Sequence, residues 1–72
     1  MKLCDAKINV KYKILKVNAP LKMKRRIFDL GCAPNTIISV YAKTKSSSIY
    51  IARGVVLSID NNIAKCITVA SL

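Results

Sequence analysis

The sequence predicts a mainly β fold: a small, partly open barrel of about five short strands, with one short helix after the first strand. Three observations carry this expectation. At 72 residues the chain is one domain at most, residues 1–72, near the lower size limit for folding unaided. Its 53% hydrophobic content supplies a compact core and argues against disorder. Short apolar runs with strand character lie on both sides of a single stretch with helical spacing, residues 21–31.

Residues 1–9 form a lead-in whose one apolar anchor is Leu3. In residues 10–17, Val10, Tyr12 and Ile14 alternate with Lys11 and Lys13, the pattern of a half-buried strand. The phase slips at Ile14-Leu15, and Leu15 and Val17 become the apolar set. A slip of this kind predicts a bulge or sharp bend. Asn18-Ala-Pro20 turns the chain into the helix, with Pro20 at the first helical position, where a missing N–H costs nothing. Met23, Ile27 and Leu30 fall on one stripe and are expected to face the core. Gly31 is expected in the left-handed conformation, with Cys32 folding back towards Ile27.

Two features of this helix are unusual. Leu21 and Phe28 lie away from the core stripe, beside Lys24 and Arg25. Either the lead-in or a neighbouring loop covers them, or they form a docking face in which an apolar anchor is ringed by positive charge. Leu21, Lys24, Arg25 and Phe28 are therefore the candidate partner-binding residues. Asp29 stands at the helix C-terminus, where the helix dipole disfavours an acid. It is assigned a structural role, fixing Arg25 or Arg26 or accepting N–H groups from the next turn.

After the helix, Ala33-Pro34-Asn35-Thr36 reads as a turn, with Asn35 tolerating a left-handed backbone. Strands are expected over 37–43 and 49–53, joined by a flexible polar loop, residues 44–48. Arg53-Gly54 breaks the pattern before a strand over 55–59, where Val55, Leu57 and Ile59 alternate with Val56 and Ser58. Gly54 is expected to mark a bulge or a close backbone approach. Asp60-Asn-Asn62 caps a short turn, a single helical turn through Ala64 with Ile63 as its plug. The last strand covers 66–69, with Ile67 and Val69 inward. There is no internal repeat and no domain boundary.

Thirteen Lys and Arg face three acids, giving a net charge of +10. Such a balance favours negatively charged partners, although lysines also simply solvate a small apolar barrel. The chain has no histidine, only three isolated aspartates and only two glycines. No catalytic constellation or phosphate loop can be assembled from these, so no enzyme, cofactor site or small-molecule substrate is expected. Cys4, Cys32 and Cys66 are odd in number and widely spaced, which speaks against a disulfide framework or a metal site. They read as small buried hydrophobes in a reduced, cytoplasmic setting. Met1-Lys-Leu-Cys-Asp5 does not read as a secretory signal, and no apolar run approaches the roughly 20 residues that span a bilayer. The expectation is a binding or regulatory module. Nucleic acid is the second reading, since small basic barrels bind single strands by stacking on aromatics, here Tyr12, Phe28, Tyr41 and Tyr50. No RNA-binding signature accompanies them.

Over most of its length the sequence resembles the FeoA family of small cytoplasmic ferrous-iron transport proteins. Tyr12-Lys-Ile-Leu-Lys16 stands where that family has its first barrel strand. Residues 21–31 look like its Leu-x-(basic cluster)-Leu-Leu-Asp-Met-Gly segment. Lys24, Arg25, Arg26, Asp29 and Gly31 fall on its polar and glycine positions, and Ile27, Phe28 and Leu30 on its apolar ones. Arg53-Gly54, Leu57-Ser-Ile59 and Ala64-Lys-Cys-Ile-Thr-Val69 follow its C-terminal pattern. Asn35 replaces the usual turn glycine, and Lys45-Ser-Ser-Ser48 replaces a loop that is often longer. The resemblance implies an SH3-like barrel and an accessory role beside FeoB, the membrane ferrous-iron transporter with a GTP-binding domain. That role is exercised by protein contact and would bring the chain to the inner face of the membrane. Transition-metal binding is implied only for the family, because a chain without His or Glu offers few ligands to a hard or borderline metal. Exposed edge strands in small barrels favour pairing between copies, so a homo-oligomer is a further expectation.

Overall fold

The computed structural model describes residues 1–72. Five strands, β1 (Lys11–Val17), β2 (Ile37–Lys43), β3 (Ser47–Ala52), β4 (Val55–Asp60) and β5 (Ile67–Ser71), form one antiparallel sheet in the order β4-β3-β2-β1-β5. The sheet curls around a single core, as in a small SH3-like barrel. A helix, α1 (Leu21–Asp29), follows β1, and a one-turn helix, α2 (Asn61–Ala64), joins β4 to β5. Every strand contributes to the core, which is centred on Tyr12, Ile14, Ile38, Val40, Tyr50, Ile59, Ile67 and Val69. No helix is long and apolar enough to cross a membrane.

The bulge in β1 is present, but it treats the side chains differently from the expectation. Pairing with β5 shifts between Ile14 and Lys16, which makes Leu15 the extra residue. Tyr12, Ile14 and Val17 point inward, and Leu15 is half exposed. An inserted residue resets the two-residue alternation, so Val17 recovers the inward face without Leu15.

The lead-in is structural, not loose. Met1 and Lys2 pair with the outer edge of β5, through a Lys2–Thr68 bridge and a 2.8 Å bond from the Val69 N–H to the Met1 carbonyl. A short 3-10 turn, Leu3–Asp5, then places Leu3 and Ala6 fully in the core. The Lys7 N–H donates to the Tyr12 hydroxyl at 2.9 Å, and the Asn9 N–H to the Val40 carbonyl at 3.0 Å. One edge of the sheet is thus partly covered, while β4 remains the open edge with Val55 and Val56 exposed.

The turns follow backbone chemistry. In the 33–36 turn the Thr36 N–H donates to the Ala33 carbonyl, and Asn35 takes φ 72° as expected. The loop expected over 44–48 shrinks to residues 44–46, because Ser47 and Ser48 already belong to β3 and Ser48 pairs with Lys43. Thr44 Oγ1 donates to the Ser47 carbonyl at 2.6 Å and accepts from the Ser47 N–H. Gly54 marks neither a bulge nor a close approach, since a side chain there would meet nothing within 4 Å. Arg53 and Gly54, at φ 56° and 76°, are the two central residues of the tight β3–β4 hairpin, in which Ala52 pairs with Val55. Two consecutive left-handed residues match the twist of the flanking strands. At α2 the Asp60 carboxylate caps the turn by accepting from the Asn62 N–H at 2.8 Å. The plug is Ala64, fully buried, whereas Ile63 is only half-buried.

Candidate functional site

Helix α1 is held to the barrel by few groups. Pro20 is the N-cap rather than the first helical residue, and no side chain caps that end. Nine residues are too few to hold a helix in water unaided. The C-terminal end carries the compensating structure. Gly31, at φ 102°, reverses the chain, the Gly31 N–H bonds the Phe28 carbonyl at 2.9 Å and the Cys32 N–H bonds the Ile27 carbonyl at 3.1 Å. This is the Schellman arrangement, with its apolar contact supplied by buried Cys32 and Ile27. Replacing Gly31 with alanine is expected to destabilise the protein by about 1 kcal/mol through backbone strain alone, because no atom obstructs a Cβ there. Chemical denaturation measures it.

Only Ile27 of this helix is buried. Met23 is 37% exposed and Leu30 46%, so the expected three-residue core stripe shrinks to one residue. With about 3.6 residues per turn, Leu21 and Phe28 lie to one side of Ile27, and Met23 and Leu30 to the other. Leu21 is 65% exposed and Phe28 36%, so neither the lead-in nor a loop covers them fully. Lys24 is half-buried between that pair and Ile27, and Arg25 is exposed. The structure therefore brings Leu21, Lys24, Arg25 and Phe28 together on one accessible helix flank. Gly31 acts at the end of the same helix, while Gly54 belongs to the remote β3–β4 hairpin.

Asp29 does not do the work assigned to it. It is exposed, and the side-chain hydrogen bonds of the protein all lie elsewhere. The turn after the helix is closed by backbone groups instead.

No three His, Cys, Asp or Glu side chains come together as a metal site. The three cysteines are free, and only Cys32 is fully buried. Burial raises the Cys32 thiol above its ordinary pKa. Its thiolate is therefore scarce, and Cys32 should label far more slowly than half-buried Cys4 and Cys66 with a thiol reagent near neutral pH, a difference that mass mapping of the labelled native protein reads directly. Tyr50 is wholly buried and its hydroxyl has no hydrogen-bond partner. Burial raises its pKa. With Tyr12 and Tyr50 both in the core, Phe28 and Tyr41 are the only aromatics left for stacking on a nucleic acid.

The comparisons with known proteins agree with this architecture. The sequence profile of the FeoA domain matches residues 1–71. The fold superposes on a crystal structure of an iron uptake regulatory protein (FeoA) with a TM-score of 0.94 at 18% identity, covering 100% of this chain and 97% of that one. It also superposes on the solution structure of the FeoA protein from Chlorobium tepidum, with a TM-score of 0.91 and 27% identity, over 100% of this chain and 70% of the other. A FeoA-like protein from Clostridium acetobutylicum gives 0.89 and 28%, over 100% and 86%. Among curated proteins, none matches the sequence.

Proposed function

Because the chain belongs to the FeoA family and so has a part in ferrous iron transport, we propose that it is a cytoplasmic accessory protein that works by contact with a FeoB-like membrane transporter. One observation carries this reading. On α1, Leu21 and Phe28 lie at the surface beside Lys24 and Arg25, on a helix whose one fully buried side chain is Ile27. A helix kept in place at the cost of exposing a leucine and a phenylalanine suits a surface that another protein covers. The apolar pair supplies the anchor once water is excluded, and the surrounding charge of a +10 chain accelerates encounter with an acidic face. Membrane association follows from the partner and from attraction to an anionic inner leaflet.

The test is co-purification with the cytoplasmic part of a FeoB-like transporter. The unmodified chain is retained, and Phe28→Ala or Arg25→Glu is lost while its fold, read by circular dichroism, is unchanged. Retention of both variants would remove this surface from the account.

A further inference from the structure

The opposite flank of α1 has a feature that the Leu21–Phe28 face does not use. Pro20, Met23, Ile27, Leu30 and, from α2, Ile63 line the only cleft of the molecule, about 400 Å³ in volume, and Lys22 and Arg26 complete its wall. No acid lines it. Lys22 and Arg26 are four residues apart, hence neighbours on the helix surface, and like charges at that spacing repel. The apolar part is made of residues of core type left in water: Met23 and Leu30 are exposed and Ile63 is half-buried. Methionine at the lip lets the cleft adapt to what enters.

We infer that this cleft receives an acidic, amphipathic segment of a partner protein. One or two aliphatic or aromatic side chains enter between Met23, Leu30 and Ile63, and a neighbouring Asp or Glu of the same segment meets Lys22 and Arg26. The inference rests on the docking role proposed above and gives it a second contact, so that the partner holds α1 from both sides. Charge and size select the occupant. A phosphate, from lipid or nucleic acid, would satisfy the two cations but leave the apolar floor empty. A second copy of this chain repels at +10 and offers only three acids, one of which, Asp60, is engaged in capping α2. The volume lies at the low end of the roughly 300–1,000 Å³ of ligand pockets, enough for a few side chains of a segment. Arginine at the rim favours a carboxylate, which its planar fork can bind through two parallel hydrogen bonds.

The probe is the cytoplasmic part of a FeoB-like transporter, titrated against the unmodified chain, Lys22→Glu/Arg26→Glu and Leu30→Asp. All three substituted positions are exposed, so the fold should survive. Each cleft variant should bind at least about tenfold more weakly, as expected for truncation or reversal at an interface anchor. The charge reversal should also reduce the salt dependence of binding. Binding by both variants within about twofold of the unmodified chain, on the same scale, would overturn the cleft assignment and leave the docking role standing. Absence of binding by the unmodified chain would overturn both. Amide chemical-shift mapping on the unmodified chain decides independently of any variant. Shifts at Met23, Arg26, Leu30 and Ile63 support the inference, and shifts confined to the Leu21–Phe28 flank refute it. An unmodified chain that dimerises through these same residues would refute it in favour of self-association.

Discussion

Replacing Ile27 with alanine should destabilise the protein by about 2–4 kcal/mol, because it removes the one side chain that buries α1 and leaves a cavity that the barrel fills only in part. The loss is large on the scale of the whole domain, whose total stability is expected to be about 4–10 kcal/mol. It should lower the thermal midpoint by roughly 10–20 °C. The helix is unusually dependent on this residue. It has no side-chain N-cap, it spans nine residues, and its C-terminal turn closes through the Ile27 carbonyl and the Ile27–Cys32 contact. Loss of Ile27 therefore removes the anchor of the helix and the apolar half of its stop signal together. Thermal and denaturant unfolding measure the cost. A destabilisation below about 1 kcal/mol would mean that α1 is held by something other than Ile27.

Phe28→Ala combined with Arg25→Glu should weaken binding to the cytoplasmic part of a FeoB-like transporter by at least about thirtyfold, the effect of losing about 2 kcal/mol at an interface anchor. Stability should fall by no more than about 1–2 kcal/mol, the burial lost with the covered part of the Phe28 ring, which leaves the fold intact. The two substitutions act differently. Removing the ring empties the contact and should appear mainly as faster dissociation, whereas reversing Arg25 weakens steering and should appear mainly as slower association that fades with salt. This contrast between Ile27 and its neighbour Phe28 separates what holds the helix from what the helix presents.

Much of this arrangement is legible in the chain because it is written in local chemistry. Gly31 after an apolar-spaced stretch announces the Schellman stop, and Asn35 after Pro34 announces the left-handed turn. The phase slip at Ile14-Leu15 announces the bulge. What escaped the sequence depends on tertiary contacts. Helical spacing cannot tell Ile27 from Met23 and Leu30, since all three lie on one stripe, and only the distance of the barrel wall decides that one is buried and two open a cleft. The lead-in has no periodicity to read, because a 3-10 turn of three residues gives none, yet Leu3 and Ala6 complete the core. The break at Arg53-Gly54 is legible, but its form as a two-residue turn is not, because arginine is an uncommon occupant of a left-handed position. The position of Asp29 alone suggests a structural role, yet backbone carbonyls take the N–H groups of the next turn.

The central claim is that α1 is the surface by which this protein engages its partner. The most direct measurement is amide hydrogen exchange of the unmodified chain, with and without the cytoplasmic part of a FeoB-like transporter. Slowed exchange concentrated in α1 and the turn that follows it, with β4 unchanged, is the result expected. Protection confined to the open edge of β4 or to the 44–48 hairpin, with α1 exchanging as in the free protein, would contradict it.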